Sequence, residues 1–181
     1  MSTPLPATFV DLLRLWQVDP VGYADTVLSE AAALVETQIA AGESDPTLEA
    51  LVVEGPESSR LGFGRLVVAV QEAHGIEAFT GITAQDEAVA AAVRQYQADR
   101  ITPRELTYWV TRVVGLRGGV RTQVFLDLEQ AYCARLADDD VSDIDQQVSA
   151  ASEGFLAGDA PQAGQGESRR RGLRGLFSRR E

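Results

Sequence analysis

Arg169, Arg170, Arg171, Arg174, Arg179 and Arg180 fall within fourteen positions whose single acid is Glu181. A guanidinium is planar, permanently charged and rich in donors, so six together form a device for holding anions. Leu173, Leu176 and Phe177 lie among them at i, i+3 and i+4. On a helix that spacing puts the three apolar side chains on one face, with most of the arginines around or opposite it. A second group, Arg112, Arg117 and Arg121, flanks Gly118-Gly119. A glycine turn beside a helix start offers backbone N–H groups to an anion, which makes this a candidate anion site. Its plainer reading is three solvated arginines at a helix hairpin, some paired with nearby carboxylates.

Other constellations fall short of a defined chemistry. Asp138-Asp139-Asp140 with Asp143 and Asp145 invites calcium. An EF-hand counted from Asp138 puts Asp143 where Gly is required and Ser149 where the bidentate Glu belongs, so an acidic inter-helix loop is expected. His74 is the single histidine, too few for a zinc set, and is expected near a helix C-terminus as a cation or capping donor. Cys133, the single cysteine, rules out an internal disulfide and is expected as a small core residue. Leu61-Gly62-Phe63-Gly64-Arg65 contains G-x-G, but no strand precedes it and no third Gly follows. It is not a dinucleotide fingerprint, and its small residues suit close helix packing. No catalytic residue, metal site or cofactor is assigned, and a non-enzyme is expected.

The elements that must position these groups read as helices nearly throughout. Thr8 and Asp11 look like an N-cap pair ahead of Phe9, Leu12, Leu13 and Trp16. Asp19-Pro20 reads as a helix start, followed by a stripe of Val27, Leu28, Ala31, Leu34 and Val35. Asp45-Pro46 starts a short helix with Leu48, Leu51 and Val52, and Glu54-Gly55-Pro56 ends it. Ser58 or Ser59 opens the next, in which Leu66, Val67, Val70 and Ala73 face inward and Gly75 closes the end. Residues 76–82 read as loop or short helix, and Thr83 with Asp86 opens a helix striped by Val89, Ala92, Val93 and Tyr96.

Thr102-Pro103-Arg104-Glu105 is the clearest signal: a capping box with Pro at the first helical position. Leu106, Trp109, Val110, Val113 and Val114 follow as a full apolar stripe. Gly118-Gly119 turns the chain. Val124, Phe125, Leu128, Ala131, Tyr132 and Leu136 mark a return helix, and Ser142 with Asp145 starts a last one carrying Ile144, Val148, Ala151 and Phe155. Short apolar runs at 51–53 and 66–70 lack alternating partners, so no strand is expected. The fold class read from this pattern is all-α. A single bundle of seven or eight helices spans residues 1–156, a flexible Gly/Ala/Pro/Gln-rich linker spans 157–167, and a basic amphipathic tail helix spans 168–181.

Charge divides along the same boundary. Residues 1–167 carry 10 Arg against 26 carboxylates, a net of −16, and residues 168–181 have a net of +5. Such an acidic body argues against broad nucleic-acid binding and favours basic partners. All 16 basic residues are Arg. The absence of Lys reads either as composition bias or as selection against modification at amines. No apolar run reaches the roughly 18 residues that span a bilayer. The N-terminus lacks the features of a signal peptide, so a cytoplasmic location is expected, with the tail touching the inner membrane face.

Residues 169–180 resemble the short basic amphipathic membrane-targeting tails of some bacterial division-site proteins, which implies recruitment to an anionic membrane surface. Two Leu and one Phe contribute roughly 5–7 kcal/mol if fully buried, and each Arg near anionic lipid adds about 1 kcal/mol. Ordering costs about 1 kcal/mol or more per residue, and Gly172 and Gly175 weaken the helix by about 1 kcal/mol each. One tail therefore binds weakly, and firm recruitment needs oligomerisation or a second contact. The same tail also fits a groove on an acidic protein, its own acidic body, nucleic-acid phosphates, or a solubilising role.

The expected function is an adaptor or regulator whose helical body binds protein partners and whose tail docks it. A helical sensor or small-ligand domain, with a pocket near Trp109 and Tyr132, is the alternative. An enzyme using carboxylates in an unlocated cleft is a third.

Overall fold

The computed structural model describes residues 4–135 and 140–158. Among these residues there are eight α-helices and no strand. They are α1 (Ala7–Val18), α2 (Ala24–Ala40), α3 (Pro46–Glu54), α4 (Arg60–Ala73), α5 (Gly81–Gln97), α6 (Pro103–Trp109), α7 (Gln123–Ala134) and α8 (Ser142–Ala157).

Three helix starts follow the capping chemistry of the sequence. Asp45 accepts from the backbone N–H groups of Thr47 and Leu48, and Pro46 fills the first helical position of α3. Ser59 accepts from the N–H of Gly62 and opens α4. At α6 the Thr102–Glu105 box is reciprocal: Glu105 N–H donates to Thr102 Oγ1 at 3.2 Å, and Thr102 N–H donates to Glu105 Oε2 at 2.7 Å. Gly75, at φ +63°, ends α4, and its neighbour Ile76 donates back to the Gln71 carbonyl.

Three other starts differ from expectation. α1 begins at Ala7 behind Pro6 with no side-chain cap, so Thr8 lies inside the helix, and Asp11 pairs with Arg94 of α5. Asp19-Pro20 forms a turn instead of a helix start: Asp19 Oδ1 accepts from Gly22 N–H, and α2 begins only at Ala24. α5 starts at Gly81, ahead of Thr83 and Asp86, and residues 76–80 are a loop. That loop is fastened to α1. Arg14 donates to the Glu77 carbonyl and lies 4.4 Å over the Phe79 ring, and Gln17 donates to the Phe79 carbonyl at 3.0 Å.

The stripe after Thr102 is not one α-helix. α6 gives way at Val110 to a π-helical turn through Val114, then to a 3-10 turn over Gly115–Arg117. Gly115 takes φ +52°, which favours glycine. Leu106, Val110, Val113 and Val114 are nonetheless all buried, so the widened turn keeps the stripe on the core.

Packing centres on α1 and α5, which make the most extensive helix pair. On one side α2 packs on α3 and α3 on α4; on the other α6, α7 and α8 pack together. One contiguous apolar cluster draws buried residues from all eight helices, among them Leu13, Val27, Leu51, Val67, Val93, Leu106, Phe125 and Val148. Isolated helices of these lengths are marginal in water, so this shared burial is what holds them. Two expected core positions lie outside it: Ala73 and Cys133 are both exposed. Ala73 is the last residue of α4 and Cys133 the next to last of α7, so the ends of these helices leave them open to solvent.

Candidate functional site

The turn at Gly118-Gly119 already holds a carboxylate. Asp86 of α5 reaches across and accepts from Gly119 N–H at 3.2 Å. The flanking arginines serve local backbone. Arg117 donates to the Val113 carbonyl, and Arg121 donates to the Phe155 carbonyl while its guanidinium sits 4.4 Å over the Phe155 ring. Arg112 is exposed. The structure thus brings Arg121 onto α8 and Asp86 into the turn.

Buried ionisable groups elsewhere are also tied to partners. Arg94 donates to both oxygens of Asp11, from Nε at 3.0 Å and Nη2 at 2.6 Å, in the bidentate geometry that strengthens such pairs. His74 Nε2 meets Asp45 Oδ2 at 2.6 Å, with both side chains nearly buried. Burial opposes ionisation of Asp45, yet hydrogen bonds from Thr47, Leu48 and His74 outweigh it and hold its pKa below the ordinary value. His74 therefore links the end of α4 to the start of α3. That pairing spans 29 positions, and no sequence signal marks it.

A polar cluster joins α6, α7 and α8. Thr107 Oγ1 donates to the buried Glu129 at 2.7 Å, and Cys133 Sγ lies 3.6 Å from the other Glu129 oxygen. Desolvation, then Glu129, pushes the Cys133 thiol up, which works against a thiolate nucleophile. Tyr132 is buried and donates to Asp145, and burial followed by that contact raises its pKa. Trp109 packs edge-on to Tyr23 at 6.2 Å. In the acidic loop, Asp140 accepts from Ser142 N–H and Asp143 pairs with Arg135 at 2.5 Å. Among the described residues no group of three or more His, Cys, Asp or Glu is placed to hold a metal ion.

Two surfaces stand out instead. The first is the α2–α3 side. Residues 15–59 hold nine carboxylates and no basic residue, and Ile39 and Val53 project from it at 64% and 75% exposure. The second is the outer face of α4, where Leu61, Val68 and Ala69 form an open groove of about 420 Å³ against Trp16 of α1. Arg60, Arg65 and Glu72 border it. Neither Trp109 nor Tyr132 lines this groove. Sequence reading marked neither surface. The signal for the second was present: Leu61, Arg65, Val68 and Glu72 recur at i, i+4, i+7 and i+11, off the inward stripe.

The tail residues Arg169, Arg170, Arg171, Leu173, Arg174, Leu176, Phe177, Arg179 and Arg180 lie outside the described residues, as do Leu136, Asp138, Asp139 and positions 159–167. No described helix is long and apolar enough to cross a membrane. Family models, curated proteins and solved structures yield no match to this chain.

Proposed function

We propose that the chain is a non-enzymatic adaptor, with a helical body that binds a basic protein partner and an Arg-rich tail that docks it on an anionic membrane surface. The observation that carries the reading is the separation of charge. Residues 15–59 have eight carboxylates besides the buried Asp45 and no Arg, and the last fourteen residues have six Arg and one acid. Within about 8 Å, the screening length at physiological salt, an anionic bilayer repels the α2–α3 side and attracts the tail. That polarity turns the acidic side away from lipid and leaves it open to a partner. The ionisable groups within the fold support binding over catalysis, because the buried Asp11, Asp45 and Glu129 and the half-buried Asp86 each serve a contact inside it.

The test is co-pelleting with vesicles of anionic and of zwitterionic lipid, using the full chain and the chain lacking residues 168–181. Expected is pelleting on anionic vesicles only, lost with the deletion and weakened by salt. If pelleting ignores the deletion, or is absent, membrane docking by the tail is wrong, and capture of an acidic protein becomes the tail's remaining role.

A further inference from the structure

We propose that the open face of α4 is the contact through which two copies of this chain associate, antiparallel, about a two-fold axis passing beside Val68. In a symmetric pair, residue i meets residue j and j meets i, so the face must complement itself. This one does. Arg65 and Glu72 lie seven positions apart on either side of Val68-Ala69. An axis at that midpoint sets Arg65 of each copy against Glu72 of the other and places the two Val68-Ala69 segments in contact.

Both charges are available. Among the described residues the side chains of Arg65 and Glu72 have no ion-pair partner, whereas Asp11, Asp45 and Asp143 all do. Leu61 is 69% exposed and Val68 44%, so apolar surface is there to be removed from water. Gly64 keeps the groove floor open beside Trp16.

Charge also selects this occupant over others. The chain has a net charge of −11, so self-contact is opposed wherever the surface is acidic. The α2–α3 side, with eight acids besides the buried Asp45 and no Arg, opposes contact with its own copy. α4 carries Arg60, Arg65 and Glu72, a net of +1, so self-contact along it is not opposed. The tail fits this groove poorly, because its six Arg would meet Arg60 and Arg65.

The proposal stands apart from the tail reading, and it would supply the second tail that firm docking requires. Sedimentation equilibrium of the full chain should show the mass rising from 19.5 kDa toward twice that value with concentration. Arg65→Glu and Glu72→Arg, each alone, should weaken association by about tenfold or more, and the double variant R65E/E72R should restore it to within about threefold. Deleting residues 168–181 should leave it unchanged. All these positions are on the surface, and helical content by circular dichroism checks that the variants fold. A monomer at every concentration overturns the proposal. So does a dimer indifferent to either single charge reversal, a double variant as weak as the singles, or association lost with the tail.

Discussion

α2 and α5 are both 17 residues long and carry five alanines each, yet they occupy opposite situations. α5 lies at the centre and buries Ala88, Val89, Ala91, Ala92 and Val93. α2 lies at the rim and buries only Val27 and Ala31. The difference is spacing. Ala88, Ala91 and Ala92 recur at i, i+3 and i+4, so α5 has a small-residue face in the core, and α1 is its most extensive partner. In α2 the alanines sit at 24, 31, 32, 33 and 40, and of these only Ala31 is buried. Charge follows the same split. α5 gives Arg94 to Asp11 across the α1 seam, while α2 holds acids alone on its outer side.

The central seam should therefore hold the fold, and the rim should tolerate change. Leu13→Ala, at a site with no exposure, is expected to cost about 2–5 kcal/mol, since it removes buried methyl groups and leaves a cavity. Ile39→Ala on α2 is expected to stay within about 0.5 kcal/mol. Urea unfolding of both variants measures the contrast. Equal losses would mean that α2 is as much a part of the core as α5, and the comparison would break.

The all-α class, the helix count to within one and three of the capped starts were legible because they depend on neighbours in sequence. Asp45, Ser59 and Thr102 each accept hydrogen bonds from residues two or three positions ahead. What was not legible depends on distance. Asp11 pairs with a residue 83 positions away, and Asp86 with one 33 positions away, so both looked like local caps. The candidate anion site at Gly118-Gly119 illustrates the same limit: composition shows three arginines but not the Asp86 carboxylate that enters the turn.

Asp45 tests how the rim is fastened. It caps α3 and also meets His74 of α4, so Asp45→Ala loses a cap and leaves a nearly buried ring without its partner. The expected cost is roughly 1–3 kcal/mol at neutral pH. Its folded pKa lies below the ordinary value, so its charge stabilises the fold above the unfolded pKa of about 3.9. That contribution disappears as pH falls through the lower folded value. The gap between wild type and Asp45→Ala should therefore be full near neutrality and narrow below about pH 4. Asp45→Asn, which keeps an oxygen to cap α3, should lose less than Asp45→Ala at neutral pH. A gap that widens in acid would contradict this account of how α3 is tied to α4.

Gly64 and Gly55 sharpen the contrast between open and packed surface over a stretch of ten residues. At Gly55, which is buried where α3 ends, an added Cβ would lie 2.7 Å from Leu28 Cδ2 and 3.3 Å from Phe63 Cε2, so alanine there requires those side chains to shift. At Gly64, inside α4, the nearest atom to an added Cβ is Trp16 Cη2 at 3.6 Å, an ordinary contact. Alanine at Gly64 also removes the backbone entropy cost of glycine in a helix. Gly64→Ala is therefore expected to stabilise the monomer by about 0.5–1 kcal/mol, read as a rise in the urea midpoint. The same methyl projects into the groove, so it should weaken self-association while it strengthens the fold. Opposite signs from one methyl group distinguish a surface kept open for a partner from one that is merely uncovered. If the substitution stabilised the chain and left association unchanged, the glycine would have no part in docking.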